Sequence, residues 1–117
     1  KPEYCLFDRN TQAIIYGYQQ RAIQRMLDFD YICRRETPSV AAIVAPTRQN
    51  GFHKCFFGNK EILIPIYRHF DEAVEKHQNA DVVVNFSSYR SAYATTMDAL
   101  AKDTIRTVAI IAEGIPE

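Results

Sequence analysis

With 117 residues, 47% of them hydrophobic, the chain suits one domain with a core of ordinary size and leaves no room for a second. Its 14 Lys and Arg cancel its 14 Asp and Glu, which removes the broad positive footprint of a protein that binds nucleic acid or an anionic membrane. Cys5, Cys33 and Cys55 are odd in number and form no CxxC pair, so neither a disulfide framework nor a cysteine zinc site is indicated, and reduced thiols in a cytoplasmic protein are expected. No apolar run approaches the roughly 20 residues of a membrane span, and Lys1-Pro2-Glu3-Tyr4 lacks the regions of a signal peptide.

The first predicted strand, residues 11–16, is almost continuously apolar, as strands buried on both faces are. It ends at Gly17, and a helix over 19–29 follows with Ala22, Ile23, Met26 and Leu27 on one face. A second strand covers 40–45. Residues 46–60 contain Gly51, Gly58 and Asn59 and no helical stripe, so this connection reads as irregular, with a short extra strand at 55–57. Then come a strand at 62–67, a helix at 70–77 presenting Phe70, Ala73, Val74 and His77, and a strand at 82–86. The last helix, 88–102, places Tyr89, Ala92, Tyr93, Thr96, Met97 and Leu100 in one stripe, with Ser87 or Ser88 as N-cap. A final strand spans 107–112. Glu113-Gly114-Ile115-Pro116-Glu117 adds no closing helix, and the chain is expected to be a piece cut from a longer polypeptide. Strands alternating with helices imply parallel pairing through right-handed crossovers, hence a Rossmann-like open α/β sheet with helices on both faces.

Two of these helices open on arginine with no acid in the first turn: Gly17-Tyr18-Gln19-Gln20-Arg21 and Ser87-Ser88-Tyr89-Arg90-Ser91. A helix N-terminus carries partial positive charge and free N–H groups, so arginine there is opposed unless an anion is supplied from elsewhere. Phosphate is the class that fits. The third helix begins Phe70-Asp71-Glu72, in the usual way. In the common strand order 3-2-1-4-5, both arginine-led helices follow the strands that flank the point where the sheet reverses direction, which is where ligands bind.

Gly17 and Ala22 suit the first and third glycines of a dinucleotide fingerprint, but Gln19 occupies the second, and Val44-Ala45-Pro46-Thr47 offers no ribose-binding acid. Gly17 therefore remains open between a ligand turn and a plain strand-to-helix turn. At the other start, the Ser87 and Ser88 hydroxyls can cap the helix or bind phosphate, Phe86 can flank a flat base, and Arg90 can meet a phosphate or a neighbouring acid. His53, His69 and His77 have no metal-ligand spacing, so no metal site is expected and all three are read as solvated or helix-terminal. Asp81 begins a strand, the wrong end for a phosphoacceptor. Glu113 ends the final strand, where open α/β folds collect active-site groups.

The blocks Thr11-Gln12-Ala13-Ile14-Ile15-Tyr16-Gly17, Met26-Leu27-Asp28-Phe29-Asp30-Tyr31, Pro38-Ser39-Val40-Ala41-Ala42, Lys60-Glu61-Ile62-Leu63-Ile64-Pro65, Asn85-Phe86-Ser87-Ser88-Tyr89-Arg90-Ser91-Ala92-Tyr93 and the run from Ile105 to Glu117 resemble the CoA-binding domain of ATP-citrate lyase. A more distant resemblance is to the CoA-binding domain of the succinyl-CoA synthetase alpha subunit. The resemblance implies a cytosolic enzyme that makes acetyl-CoA and oxaloacetate from citrate, CoA and ATP, through phosphohistidine and citryl intermediates. It implies that Phe86, Ser88, Arg90 and Ile111 hold CoA and that Glu113 bears on the chemistry. With Gly17, Gln19, Gln20, Arg21, Pro46, Thr47, Ser87 and Ser91 from the two helix starts and the end of the second strand, these complete the expected site. Thr47 stands where a close relative places a phenylalanine against the adenine. ATP and Mg belong to the full enzyme and are not expected to bind here; nor is this chain expected to catalyse alone. Its expected partners are CoA and the remaining domains of the same enzyme, a homo-oligomer at full length, with no nucleic acid and no membrane. Two alternatives stand beside this: a docking or regulatory module that has kept the fold without binding ligand, and a nicotinamide-dependent oxidoreductase domain.

Overall fold

Branched apolar residues in short runs form extended strands that bury both faces, and the helices between them each offer one apolar side. The computed structural model describes residues 10–86 and 89–111, with the backbone alone for 89–93. In chain order these hold β1 (Ala13–Tyr16), α1 (Gln20–Ile32), β2 (Val40–Val44), β3 (Gly51–Phe57), β4 (Lys60–Tyr67), α2 (Phe70–Lys76), β5 (Val82–Asn85), α3 (Tyr89–Leu100) and β6 (Thr107–Ile110). One sheet runs β3-β4-β2-β1-β5-β6, parallel throughout except for β3, which is antiparallel to β4. The five predicted strands thus take the expected order.

The two sheet faces carry separate cores. On one, Ile23 and Leu27 of α1 meet Ile15, Ile43, Ile64, Ile66 and Val84. On the other, Phe70 and Ala73 of α2 and Ala99 of α3 meet Ile14, Ala42, Val44 and Val83. Side chains alternate along β1 between the two clusters, so Ile14 and Ile15 are both fully buried on opposite sides.

Asp30, 6% exposed, ties α1 to the start of β2: its Oδ2 accepts from both the backbone N–H and the hydroxyl of Ser39, each at 2.7 Å. The helix ends two residues later, at Ile32. Arg34 takes φ 64°, its N–H bonds the Tyr31 carbonyl, and the Arg35 N–H bonds that of Asp30. This is the paired closure of a Schellman ending, with arginine where glycine is usual.

Two expectations are corrected. The connection after β2 is not largely irregular. Residues 51–57 form a full edge strand, and Gly58-Asn59 closes a two-residue hairpin, Gly58 at φ 65° and Asn59 not left-handed, the signs of a type II′ turn. In β3 the buried residues are His53 and Cys55, while Phe52 and Phe56 face out, so the alternation is the reverse of what hydropathy suggests. Its outer edge is engaged at one point: the Gln24 side chain of α1 donates to the Phe56 carbonyl at 2.8 Å and accepts from the Phe56 N–H at 3.2 Å. The second correction concerns α3, where Ala99 is buried while Met97 and Leu100 are about half exposed, at 51% and 50%. A small residue at the contact lets the helix lie close to the sheet and turns the larger neighbours outward.

A Cβ at Gly58 would run into the Tyr31 ring, besides being held at a left-handed φ. Gly58→Ala is expected to lower the unfolding free energy by about 1 to 3 kcal/mol, mostly from φ because Tyr31 can swing into solvent. Urea titration measures it, and an unchanged midpoint would contradict the hairpin geometry.

Candidate functional site

At the carboxyl ends of β1 and β5 the chain turns into α1 and α3. Gly17 makes the first turn at φ 105°. Its N–H donates to the Val44 carbonyl of β2 at 2.8 Å, while the Tyr16 carbonyl accepts the Phe86 N–H from the β5 side at 2.8 Å. A Cβ on Gly17 would lie 3.1 Å from the Phe86 Cβ. Both the backbone angle and this approach call for glycine, so Gly17 shapes the site.

α1 then starts at Gln20. Its N-cap, Gln19, makes no side-chain cap bond, the first turn holds no acid, and Arg21 is its second residue. α3 also lacks an acid in its first turn, and its second residue is Arg90. α2, which follows β4 on the other side of β2 from β1, carries Asp71 and Glu72. The two starts that lack their own anion are the two beside the β1–β5 boundary, on either side of which the chain proceeds in opposite directions through the sheet.

Between α1 and the ends of β5 and β6 lies a cavity of about 220 Å³, lined by Gln19, Arg21, Ala22, Arg25, Phe86 and Ile111. Ile111 is fixed there by its N–H, which donates to the Asn85 carbonyl at 2.8 Å. Four expected residues, Gln19, Arg21, Phe86 and Ile111, therefore meet. Gln20 opens α1 without lining the cavity. Pro46 and Thr47 lie in an exposed turn after β2, closed by the Arg48 N–H on the Ala45 carbonyl at 3.0 Å, and do not line it either. Arg90 and Ser91 fall in the first turn of α3 by their backbone. Ser87, Ser88 and Glu113 lie outside the described residues. Arg25 was not among the expected residues, although it follows Arg21 by one helical turn, the spacing that stacks two side chains on one face.

The histidines divide. His69 and His77 cap the two ends of α2, as expected. His53 does not: it is 9% exposed within β3, and its Nδ1 meets the Tyr18 hydroxyl at 2.6 Å. Burial holds its pKa below the ordinary 6.5, and the Arg48 guanidinium pushes the same way. His77, whose Nε2 meets the Tyr67 hydroxyl at 2.9 Å, is likewise lowered by burial and then by Lys76. Among the described residues no group of His, Cys, Asp and Glu could hold a metal ion, and no helix is long and apolar enough to cross a membrane.

An open, mostly parallel sheet, two acid-free helix starts at its switch point and an arginine-rimmed cavity beside the start of α1 define a Rossmann-like ligand-binding domain. The family model described as CoA binding domain matches residues 8–114, and the chain belongs to that family. It is 54% identical over 117 residues to the probable ATP-citrate synthase subunit 1 of Schizosaccharomyces pombe, covering all of this chain and 19% of that protein. It is 54% identical over 112 residues to the ATP-citrate synthase of Bos taurus, covering 96% of this chain and 10% of that one. The ATP citrate lyase of Methanothrix soehngenii, solved in complex with citrate and coenzyme A, superposes with a TM-score of 0.92 at 57% identity, over 98% of this chain and 18% of that chain. The chain thus spans less than a fifth of the length of these relatives.

The buried imidazole of His53 and the half-buried one of His77 make stability depend on pH. Their folded pKa values lie below the ordinary 6.5, so as pH falls through that value the unfolded chain binds protons first and the native state loses ground. The stability they contribute is complete above pH 6.5 and is lost toward the lower folded values. Urea unfolding between about pH 7 and 5 is expected to show this decline, and a His53→Gln/His77→Gln variant a flatter one. Equal slopes in the two proteins would contradict neutral burial.

Proposed function

We propose that this domain binds CoA in the crevice between α1 and the carboxyl ends of β5 and β6, and serves an ATP-citrate lyase that makes acetyl-CoA and oxaloacetate from citrate, CoA and ATP. One observation carries the proposal: the two helix starts without acids stand together at the switch point, and a cavity rimmed by Arg21 and Arg25 opens there. Free N–H groups and guanidinium groups receive phosphates, of which CoA has three. Phe86 and Ile111 supply apolar walls to the same cavity. The relatives named above support the assignment, the Methanothrix soehngenii enzyme having been solved with coenzyme A.

In this reading Arg21 and Arg90 meet phosphates, aided by Gln19, Gln20 and the hydroxyls of Ser87, Ser88 and Ser91. Pro46 and Thr47 border the nucleotide end. Glu113 acts in the chemistry, which the remaining domains of a cytosolic, homo-oligomeric enzyme complete. A nicotinamide nucleotide fits less well, because β2 runs into Ala45, Pro46 and Thr47 without a carboxylate for the ribose.

CoA is expected to raise the thermal midpoint, since a ligand of the native state stabilises it by mass action. Arg90→Ala should weaken CoA binding roughly ten- to hundredfold, the scale of a lost charge-assisted bond, with little effect on folding. Arg90→Lys should restore only part, because an ammonium cannot make a planar two-point contact. If the ribose 3′-phosphate is the partner, wild type will prefer CoA over dephospho-CoA and Arg90→Ala will not. Calorimetry that finds no CoA binding at millimolar ligand would remove the proposal and favour a docking module.

A further inference from the structure

Three residues far apart in the sequence meet beside the start of α1. Tyr18 follows the Gly17 turn, Arg48 belongs to the loop after β2, and His53 lies in β3. The Tyr18 ring packs against the core cluster beneath α1, and its hydroxyl is held by His53 Nδ1 at 2.6 Å. The His53 ring stands edge-on to it, with an interplanar angle of 85° and centroids 5.2 Å apart. Upon this fixed ring lies the Arg48 guanidinium, its central carbon 4.7 Å from the Tyr18 centroid. Arg48 is exposed, and no carboxylate pairs with it among the described residues.

A surface arginine without an acid normally samples many rotamers, since its long stem is costly to order. Here an aromatic face restrains it, and that face is itself held by the part-buried hydrogen bond from Tyr18 to His53. A phosphate ligand needs only a charge or the N–H edge of the guanidinium. Restraint against a ring instead prepares its outer face, and a planar delocalised cation presents that face best to another flat π-system. Of the parts of CoA, only the purine is flat.

We propose that Arg48 is a stacking platform for the purine of CoA, and that Tyr18 and His53 are positioning residues that hold it flat. The inference rests on the CoA reading given above and deepens it. The flat surface at this end of the site then comes from Arg48, adjacent to Thr47, which has no ring to offer. Tyr18 contributes through its face to Arg48, and His53 through its grip on the Tyr18 hydroxyl.

The test compares CoA with 4′-phosphopantetheine, which lacks the adenosine, each titrated into the chain and followed by NMR so that millimolar affinities are measurable; circular dichroism first shows that every variant is folded. Arg48→Ala and Arg48→Lys should each weaken CoA binding about tenfold, within the range for loss of one base stack. Arg48→Phe, flat but uncharged, should restore it. None of the three should change binding of 4′-phosphopantetheine. Tyr18→Leu and His53→Leu should reproduce the CoA-selective loss, and His53→Gln, which can still accept the tyrosine hydroxyl, should rescue it. The proposal is overturned if Arg48→Lys binds CoA like wild type while Arg48→Phe does not, which would assign Arg48 to a phosphate. It is also overturned if the variants lose both ligands equally, or lose neither. Wild type that binds neither ligand would sink the CoA reading itself and this inference with it; wild type that binds both, with unaltered variants, would sink the platform alone.

Discussion

The site depends on how the backbone is pinned at the end of β1. Gly17 is bonded to β2 through its own N–H, while its neighbour Tyr16 accepts from Phe86 on the other side. The chain is therefore fixed from both flanks at the residue where it must leave the sheet. That leaves a left-handed φ as the way out and brings Phe86 within contact of where a Cβ would be. Where α1 begins and where Phe86 stands follow from this one junction. The cavity wall formed by Gln19, Arg21 and Phe86 is its direct product.

The two cores give that junction its rigidity. Ile14 and Ile15, adjacent in sequence, are buried in opposite clusters, so a one-residue slip of β1 would exchange them and displace every partner on both faces. The left-hand part of the sheet is completed by a hairpin, β3–β4, where a doubly wound fold commonly places another helical crossover. This substitution has a local effect on the site. It brings His53 against Tyr18 and so fixes an aromatic ring next to the turn that opens α1.

Much of the architecture was legible in the residues. The apolar runs that became β1, β2 and β5 are buried on two faces, which is what continuous hydrophobicity encodes, while β4 and β6 are apolar runs buried only in part. β3 was largely missed because its inward positions are His53 and Cys55 and its outward ones Phe52 and Phe56, which inverts the pattern on which recognition relies. Gly58-Asn59 is by itself a two-residue hairpin signal, but the residues on either side of it, Lys54-Cys55-Phe56-Phe57 and Lys60-Glu61-Ile62-Leu63, do not alternate, and the pair was read with the irregular connection. In the site, Arg21 and Phe86 were legible because helix starts and strand ends are local properties. The meeting of Tyr18, Arg48 and His53 was not. It depends on the placement of β3, and no spacing in the sequence encodes it.

The bond between Gln24 and the Phe56 backbone bears on how the sheet ends. A side-chain amide offers one N–H and one C=O, the same pair that one residue of an adjoining strand would offer. α1 thereby occupies, with a single glutamine, the position on which a foreign strand would have to register, and edge-to-edge association along β3 loses its point of nucleation. The β3 edge is thus capped at Phe56 by the domain's own helix, which opposes the pairing of a further strand there.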